Sequence, residues 1–92
     1  MTIREPKKIP TSDSNEEVLK ENYLTLHNDD VHTFDYVIDA LIEICEHEYE
    51  QATQCTFLVH YKGKCDVKKG SFEELKPMKD ALIERELNAT ID

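Results

Sequence analysis

No run of apolar residues among these 92 positions approaches the roughly 18 that a membrane-spanning helix needs. Met1-Thr2-Ile3-Arg4-Glu5-Pro6 also lacks the apolar centre of a signal peptide, so a cytoplasmic protein is expected. Positive charge is scarce as well: 11 Lys and Arg stand against 20 Asp and Glu, a formal net charge of −9 with a pI near 4.8. Such a chain offers no basic surface to a phosphate backbone, which excludes nucleic acid as a partner. Closely paired cysteines are missing. Cys45, Cys55 and Cys65 are odd in number and far apart, suggesting neither a disulfide framework nor a Cys-x-x-Cys zinc site; buried free thiols are expected. His27, His32, His47 and His60 show no ligand spacing such as His-Glu-x-x-His, and neither metal nor cofactor is expected. There is no internal repeat, no low-complexity tract and no room for a second domain.

What is present suits one small domain, with a hydrophobic fraction of 39% and a charged fraction of 34%. Residues 1–21 contain Pro6, Pro10, a Lys-Lys pair and the polar run Thr11 to Glu17. They hold too little apolar surface to offset their ordering entropy, so a flexible arm is expected there. The remaining domain, 22–92, leaves roughly 70 residues to build a core. Asn22 to His27 alternates, with Tyr23 and Thr25 on one face and Leu24 and Leu26 on the other, the pattern of a half-buried strand.

From Phe34 to Glu46 apolar residues recur at helical spacing, with Thr33 as N-cap and Asp35 in the first turn. Glu46-His47-Glu48 reads as a polar break. Ala52, Cys55, Thr56 and Val59 then mark a second helix that stops at Gly63. Lys64 to Lys69 reads as a weak strand. Phe72, Leu75, Met78, Leu82 and Ile83 mark a third helix, begun at Gly70-Ser71, that Pro77 would kink or delay. Leu87 to Ile91 alternates as a final strand. The predicted fold is α+β: a small β-α-α-β-α-β sandwich, three helices covering one face of a three-stranded antiparallel sheet.

Asn28-Asp29-Asp30 stands between the first strand and the first helix, and Leu58-Val59-His60-Tyr61-Lys62-Gly63 lies further on. Two carboxylates and an amide at one strand end form a cluster of acceptors, to which His60 adds a further polar group. Local chemistry leaves two readings open. The cluster is either a turn with a helix cap or a site for a cation. Likewise, His60 either meets the last carbonyls of its helix or serves such a site.

Three blocks in register carry a resemblance: Leu26-His27-Asn28-Asp29-Asp30, Phe34 to Leu41, and Gln51 to Gln54 leading into Val59 to Lys64. Together they resemble the ClpS family, adaptors of the ATP-dependent Clp protease. The resemblance implies a non-enzymatic adaptor that binds N-degron proteins beginning with Leu, Phe, Tyr or Trp and passes them to a ClpA- or ClpC-type unfoldase. It also implies a monomer that works without a cofactor.

Residue by residue, Asn28, Asp29 and His60 match the positions that grip the substrate's α-ammonium group. That chemistry is sound, since an ammonium offers three donors and one positive charge to an amide oxygen, a carboxylate and a neutral imidazole nitrogen. Leu26, Val37, Thr56, Val59 and Leu87 match the side-chain pocket, with His32 and Phe34 at its edge. Glu74 and Lys79 echo the surface that meets the unfoldase.

The chain departs from the family where His32 stands at a common Thr, Thr56 at a usual large apolar residue and Phe34 at a frequent Met. These change the pocket's size. Phe34 is expected to stack on an aromatic first residue, the alternative being that it closes the mouth. The stretch Phe72 to Leu87 is also shorter than the family pattern. The same element order resembles the C-terminal domain of ribosomal stalk proteins, a generic interaction domain, which stands as the alternative. An enzyme is not expected, because the candidate groups accept hydrogen bonds from a cation and no activated nucleophile accompanies them.

Overall fold

A computed structural model describes residues 21–92. The arm expected over 1–21 therefore lies, Glu21 apart, outside the described residues. Within them the elements run β1 (Asn22–His27), α1 (Phe34–Cys45), α2 (Tyr49–Lys62), β2 (Lys64–Gly70), α3 (Phe72–Glu84) and β3 (Asn88–Ile91). This is the α+β order anticipated above. β1 is the central strand, antiparallel to β2 on one side and to β3 on the other.

Leu24 and Leu26 point from β1 into the core, where they meet Val37, Ile38 and Leu41 of α1, Ala52 and Val59 of α2, and Leu75 and Leu82 of α3. Alternation alone would put Thr25 on the solvent face with Tyr23, yet Thr25 is only 1% exposed while Tyr23 is 41% exposed. The reason lies in its neighbours. The Thr25 hydroxyl donates to Asp66 Oδ1 at 2.9 Å and has Asp92 Oδ2 3.3 Å away, so the side chains of β2 and the chain's last residue fold over it. A β-branched hydroxyl on a central strand is thereby buried and satisfied.

Helix ends follow their expected chemistry. Thr33 Oγ1 accepts from the Tyr36 N–H at 3.2 Å at the start of α1. Gly63 ends α2 with φ 93°, its N–H returning to the Val59 carbonyl at 3.0 Å; the left-handed backbone is the reason a glycine stands there. Ser71 and Glu74 form a reciprocal capping box at the start of α3. That box fixes the start of α3 at Phe72, and Pro77 sits within the helix with its ring exposed. The proline does not delay the start. α2 begins at Tyr49, earlier than its apolar periodicity indicates, and α3 ends at Glu84.

Two connections differ from a plain sequence reading. His47, in the polar triplet between α1 and α2, is buried at 5% exposure. Its Nε2–H donates to the Val67 carbonyl at 2.5 Å, at the point where the β1–β2 register skips, Leu24 pairing with Lys68 and Thr25 with Asp66. The bulge turns a strand carbonyl out of the ladder, and the imidazole takes it up. Leu87 is not the first residue of β3. It sits in the turn after Glu86, whose φ of 66° is left-handed, and its N–H bonds the Leu82 carbonyl at 3.0 Å, which drives the side chain back into the core.

Candidate functional site

The end of β1 and the last turn of α2 are tied together by backbone. The Asn28 N–H donates to the Gly63 carbonyl at 2.9 Å, and His27 pairs with Lys64 in the sheet. His60, three positions before the glycine cap, is thereby carried to the side of the molecule where Asn28 and Asp29 leave the strand. All three line one cleft with about 330 Å³ of empty space, part of it open to solvent. Leu26, His32, Phe34, Val37, Thr56, Val59 and Leu87 complete its walls together with His27. Every residue expected at the amine site and the side-chain pocket thus lines the same cleft. Glu74 and Lys79 lie elsewhere, on α3, and the Glu74 carboxylate accepts from the Ser71 N–H at 3.0 Å.

The walls and the mouth differ in chemistry. Leu26, Val37, Val59 and Leu87 are buried apolar side chains. Thr56, also buried, turns its hydroxyl away by donating to the Ala52 carbonyl at 2.8 Å, so its methyl group is what it adds to the wall. At the polar end Asp29 makes an Asx turn: its Oδ1 accepts from the Val31 N–H at 2.8 Å and the His32 N–H at 3.0 Å. Partial burial by itself would raise the Asp29 carboxyl. These two N–H bonds and the His32 ring outweigh it and hold the group below the ordinary carboxylate value, so it is an anion at neutral pH.

The His32 ring is 3.1 Å from both Asp29 oxygens through Nδ1. An ionised carboxylate only accepts, so Nδ1 carries the proton. The ring also stacks on Tyr36, centroids 4.6 Å apart at 18°, and the Tyr36 hydroxyl donates to the Arg85 carbonyl at 2.8 Å. His32 is therefore more than a pocket wall, because it clamps the carboxylate from the side and is itself held by α1 and the end of α3. Among the described residues the side chains of Asn28 and His60 make no hydrogen bond, and both line the cleft. His27 was not singled out from the sequence; its Nε2 meets Thr90 Oγ1 at 2.8 Å, and strand alternation directs it away from Leu26, so no sequence signal marked it.

The mouth is aromatic. Phe34 meets Phe57 edge-on at 5.1 Å and His60 edge-on at 5.2 Å. Its ring lies across the space between α1 and α2, at the edge where the resemblance put it.

Fold and cleft together define a class: a small α+β domain whose central strand and second helix enclose an apolar cleft that ends in an anionic, hydrogen-bonded notch. Residues 19–90 match the family model described as "ATP-dependent Clp protease adaptor protein ClpS", and the chain belongs to the ClpS family. It is 46% identical over 39 residues to the ATP-dependent Clp protease adapter protein ClpS of Salmonella gallinarum, an alignment covering 42% of this chain and 37% of that protein. To the adapter protein ClpS of Pectobacterium carotovorum subsp. carotovorum it is 38% identical over 55 residues, 58% of this chain and 52% of that protein. At most about half the length of these relatives is thus matched. The structure of Agrobacterium tumefaciens ClpS2 bound to L-phenylalaninamide superposes with a TM-score of 0.73 at 19% identity, covering 79% of this chain and 95% of that one. At that identity the likeness is one of fold.

Proposed function

We propose that this chain is a non-enzymatic adaptor that binds the free first residue of proteins beginning with Leu, Phe, Tyr or Trp and delivers them to a Clp unfoldase of the ClpA or ClpC type. The domain over 22–92 does the binding, as a monomer and in the cytoplasm. One observation carries the reading: a charged Asp29, the Asn28 amide and the His60 imidazole line the same cleft as four buried apolar walls. A protonated α-amine at the notch would find a carboxylate, an amide oxygen and an imidazole nitrogen, while the neighbouring side chain enters the cleft. An internal peptide nitrogen has neither the charge nor the three donors, and leaving such acceptors buried and unpaired costs about 1–3 kcal/mol each. The Agrobacterium protein's ligand, L-phenylalaninamide, has the chemistry of an amino-terminal Phe: a free amine, a benzyl side chain and no carboxylate.

Burying a Leu or Phe side chain in the cleft contributes roughly 1.5–3 kcal/mol, which suits an adaptor that must release what it delivers. Glu74 and Lys79 on α3 are the proposed unfoldase contacts; both lie away from the cleft, so substrate and unfoldase can be held at once. The thiols support a non-catalytic reading. Burial pushes Cys45 up to about 11 and Cys65 up to about 12, and raises Cys55, so none is a thiolate nucleophile at neutral pH.

The deciding experiment is a titration with a Phe-initiated peptide and its N-acetylated copy. The free peptide binds and the acetylated one does not; equal binding of the two ends the ammonium account. Loss of binding in His60→Ala with an unchanged far-UV spectrum separates a dedicated amine site from a generic interaction domain.

A pH profile gives a second check. The imidazole must be neutral to accept from the amine, and the amine must be protonated to donate. Binding therefore fades as pH rises past the terminal amine's ordinary value of about 8. Binding that holds undiminished to about pH 10 contradicts the ammonium account.

A further inference from the structure

The aromatic cluster at the cleft mouth extends beyond the cleft. Phe57 and Tyr61, one turn apart on α2, stack face to face with centroids 5.8 Å apart at 7°. Phe57 meets Phe34 at 5.1 Å and Tyr61 meets His60 at 4.8 Å, both edge-on, and Phe34 meets His60 in turn. The four rings close a circuit of which only Phe34 and His60 line the cleft. Phe57 is 45% exposed and Tyr61 72%, so the outer half of the circuit is a solvent-facing apolar surface, continuous with the mouth. Contiguous exposed apolar surface on a chain this strongly charged calls for an occupant.

The reach of a bound peptide identifies one. If the first residue has its amine at Asn28, Asp29 and His60, its carbonyl leaves at the mouth, and the next Cα lies about 3.8 Å further on. The rings of Phe57 and Tyr61 are centred within about 5 Å of Phe34 and His60, which is one side chain's length from that position. Exposed aromatic faces and edges take another ring or a branched aliphatic side chain, and they offer nothing to a small polar one.

We propose that Phe57 and Tyr61 form a shelf for the second side chain of the bound protein, so that a large apolar or aromatic second residue is selected along with the first. This rests on the reading of the cleft given above. It adds a subsite outside the pocket and assigns two residues that the pocket itself does not use.

The test is fluorescence anisotropy with four peptides identical but for their second residue: Phe-Trp, Phe-Leu, Phe-Ala and Phe-Ser. The unaltered chain binds the first two roughly five- to tenfold more tightly than the last two. In Tyr61→Ala, and in Phe57→Ala with Tyr61→Ala, that ratio falls to about one. Both residues are exposed, and a far-UV spectrum checks folding. Phe-Ala binding with no second-residue preference in the unaltered chain, or a preference that survives in both variants, overturns the shelf alone. Failure of all four peptides to bind overturns the cleft reading and the shelf with it. Concentration-dependent self-association that Tyr61→Ala abolishes, seen by sedimentation, makes a second copy of the chain the occupant instead and also overturns the proposal.

Discussion

Asp29→Asn should weaken binding of a Phe- or Leu-initiated peptide by about 10- to 150-fold while leaving the urea midpoint nearly unchanged. The substitution is chosen for what it keeps. Asn retains one oxygen to accept from the Val31 and His32 N–H groups, which hold Asp29 at 2.8 and 3.0 Å, so the Asx turn survives. The charge and the second oxygen are lost. A hydrogen bond to a charged group is worth roughly 1.5–3 kcal/mol, and each 1.4 kcal/mol is about tenfold in affinity, which sets the range. An affinity within about threefold of the parent would show that this carboxylate is not the counter-charge of the amine.

Asp29 is expected to keep its charge through mildly acid pH. Its carboxyl lies below the ordinary value in the folded chain. Its contribution to stability is therefore complete above the ordinary carboxylate value and is lost only as pH falls through the lower folded value. The counter-charge for the amine should thus persist to a pH below the ordinary carboxylate value.

Most of the fold was readable because its signals are local. Alternation in Asn22 to His27, helical spacing after Thr33, the cap at Gly63 and the Gly70-Ser71 start each depend on residues within a few positions, and each appears where it was expected. What escaped depends on partners distant in sequence. Thr25 is buried by Asp66 and Asp92, and nothing near Thr25 announces either. His47 sits between two glutamates and looks solvated, but its partner is a carbonyl at a β-bulge in β2, and a register skip has no clear mark in the sequence.

The candidate site was legible by a different route. The residues lining the cleft come from β1, the β1–α1 connection, α1, α2 and the turn before β3, five segments that no periodicity could join. The family pattern joined them. It did not foresee what its own departure does. His32 replaces a common Thr and reaches both oxygens of Asp29, a contact set by the turn's geometry and by the stack on Tyr36.

The other departure at the mouth sets the second large effect. Phe34→Ala should weaken Phe-initiated peptides roughly thirtyfold and Leu-initiated ones less, if the ring stacks on the first side chain. Phe34 is partly buried, packed edge-on against Phe57 and His60, and its free face lies along the cleft edge. A bound benzyl group gains both the buried area and an aromatic contact, together about 2 kcal/mol, whereas an isobutyl group gains only the area.

The opposite arrangement, with the ring acting as a plug that must swing aside, reverses the sign. In that case truncation removes an obstacle and affinity rises for every first residue, in proportion to the population that was closed. Isothermal titration of Phe34→Ala and Phe34→Met against Phe- and Leu-initiated peptides separates the two. Stacking predicts a loss that is larger for Phe than for Leu and only partly restored by the flexible thioether of Met. A plug predicts a gain in both variants with little dependence on the peptide. The geometry favours stacking, because T-shaped contacts with both Phe57 and His60 of α2 hold the Phe34 ring in place.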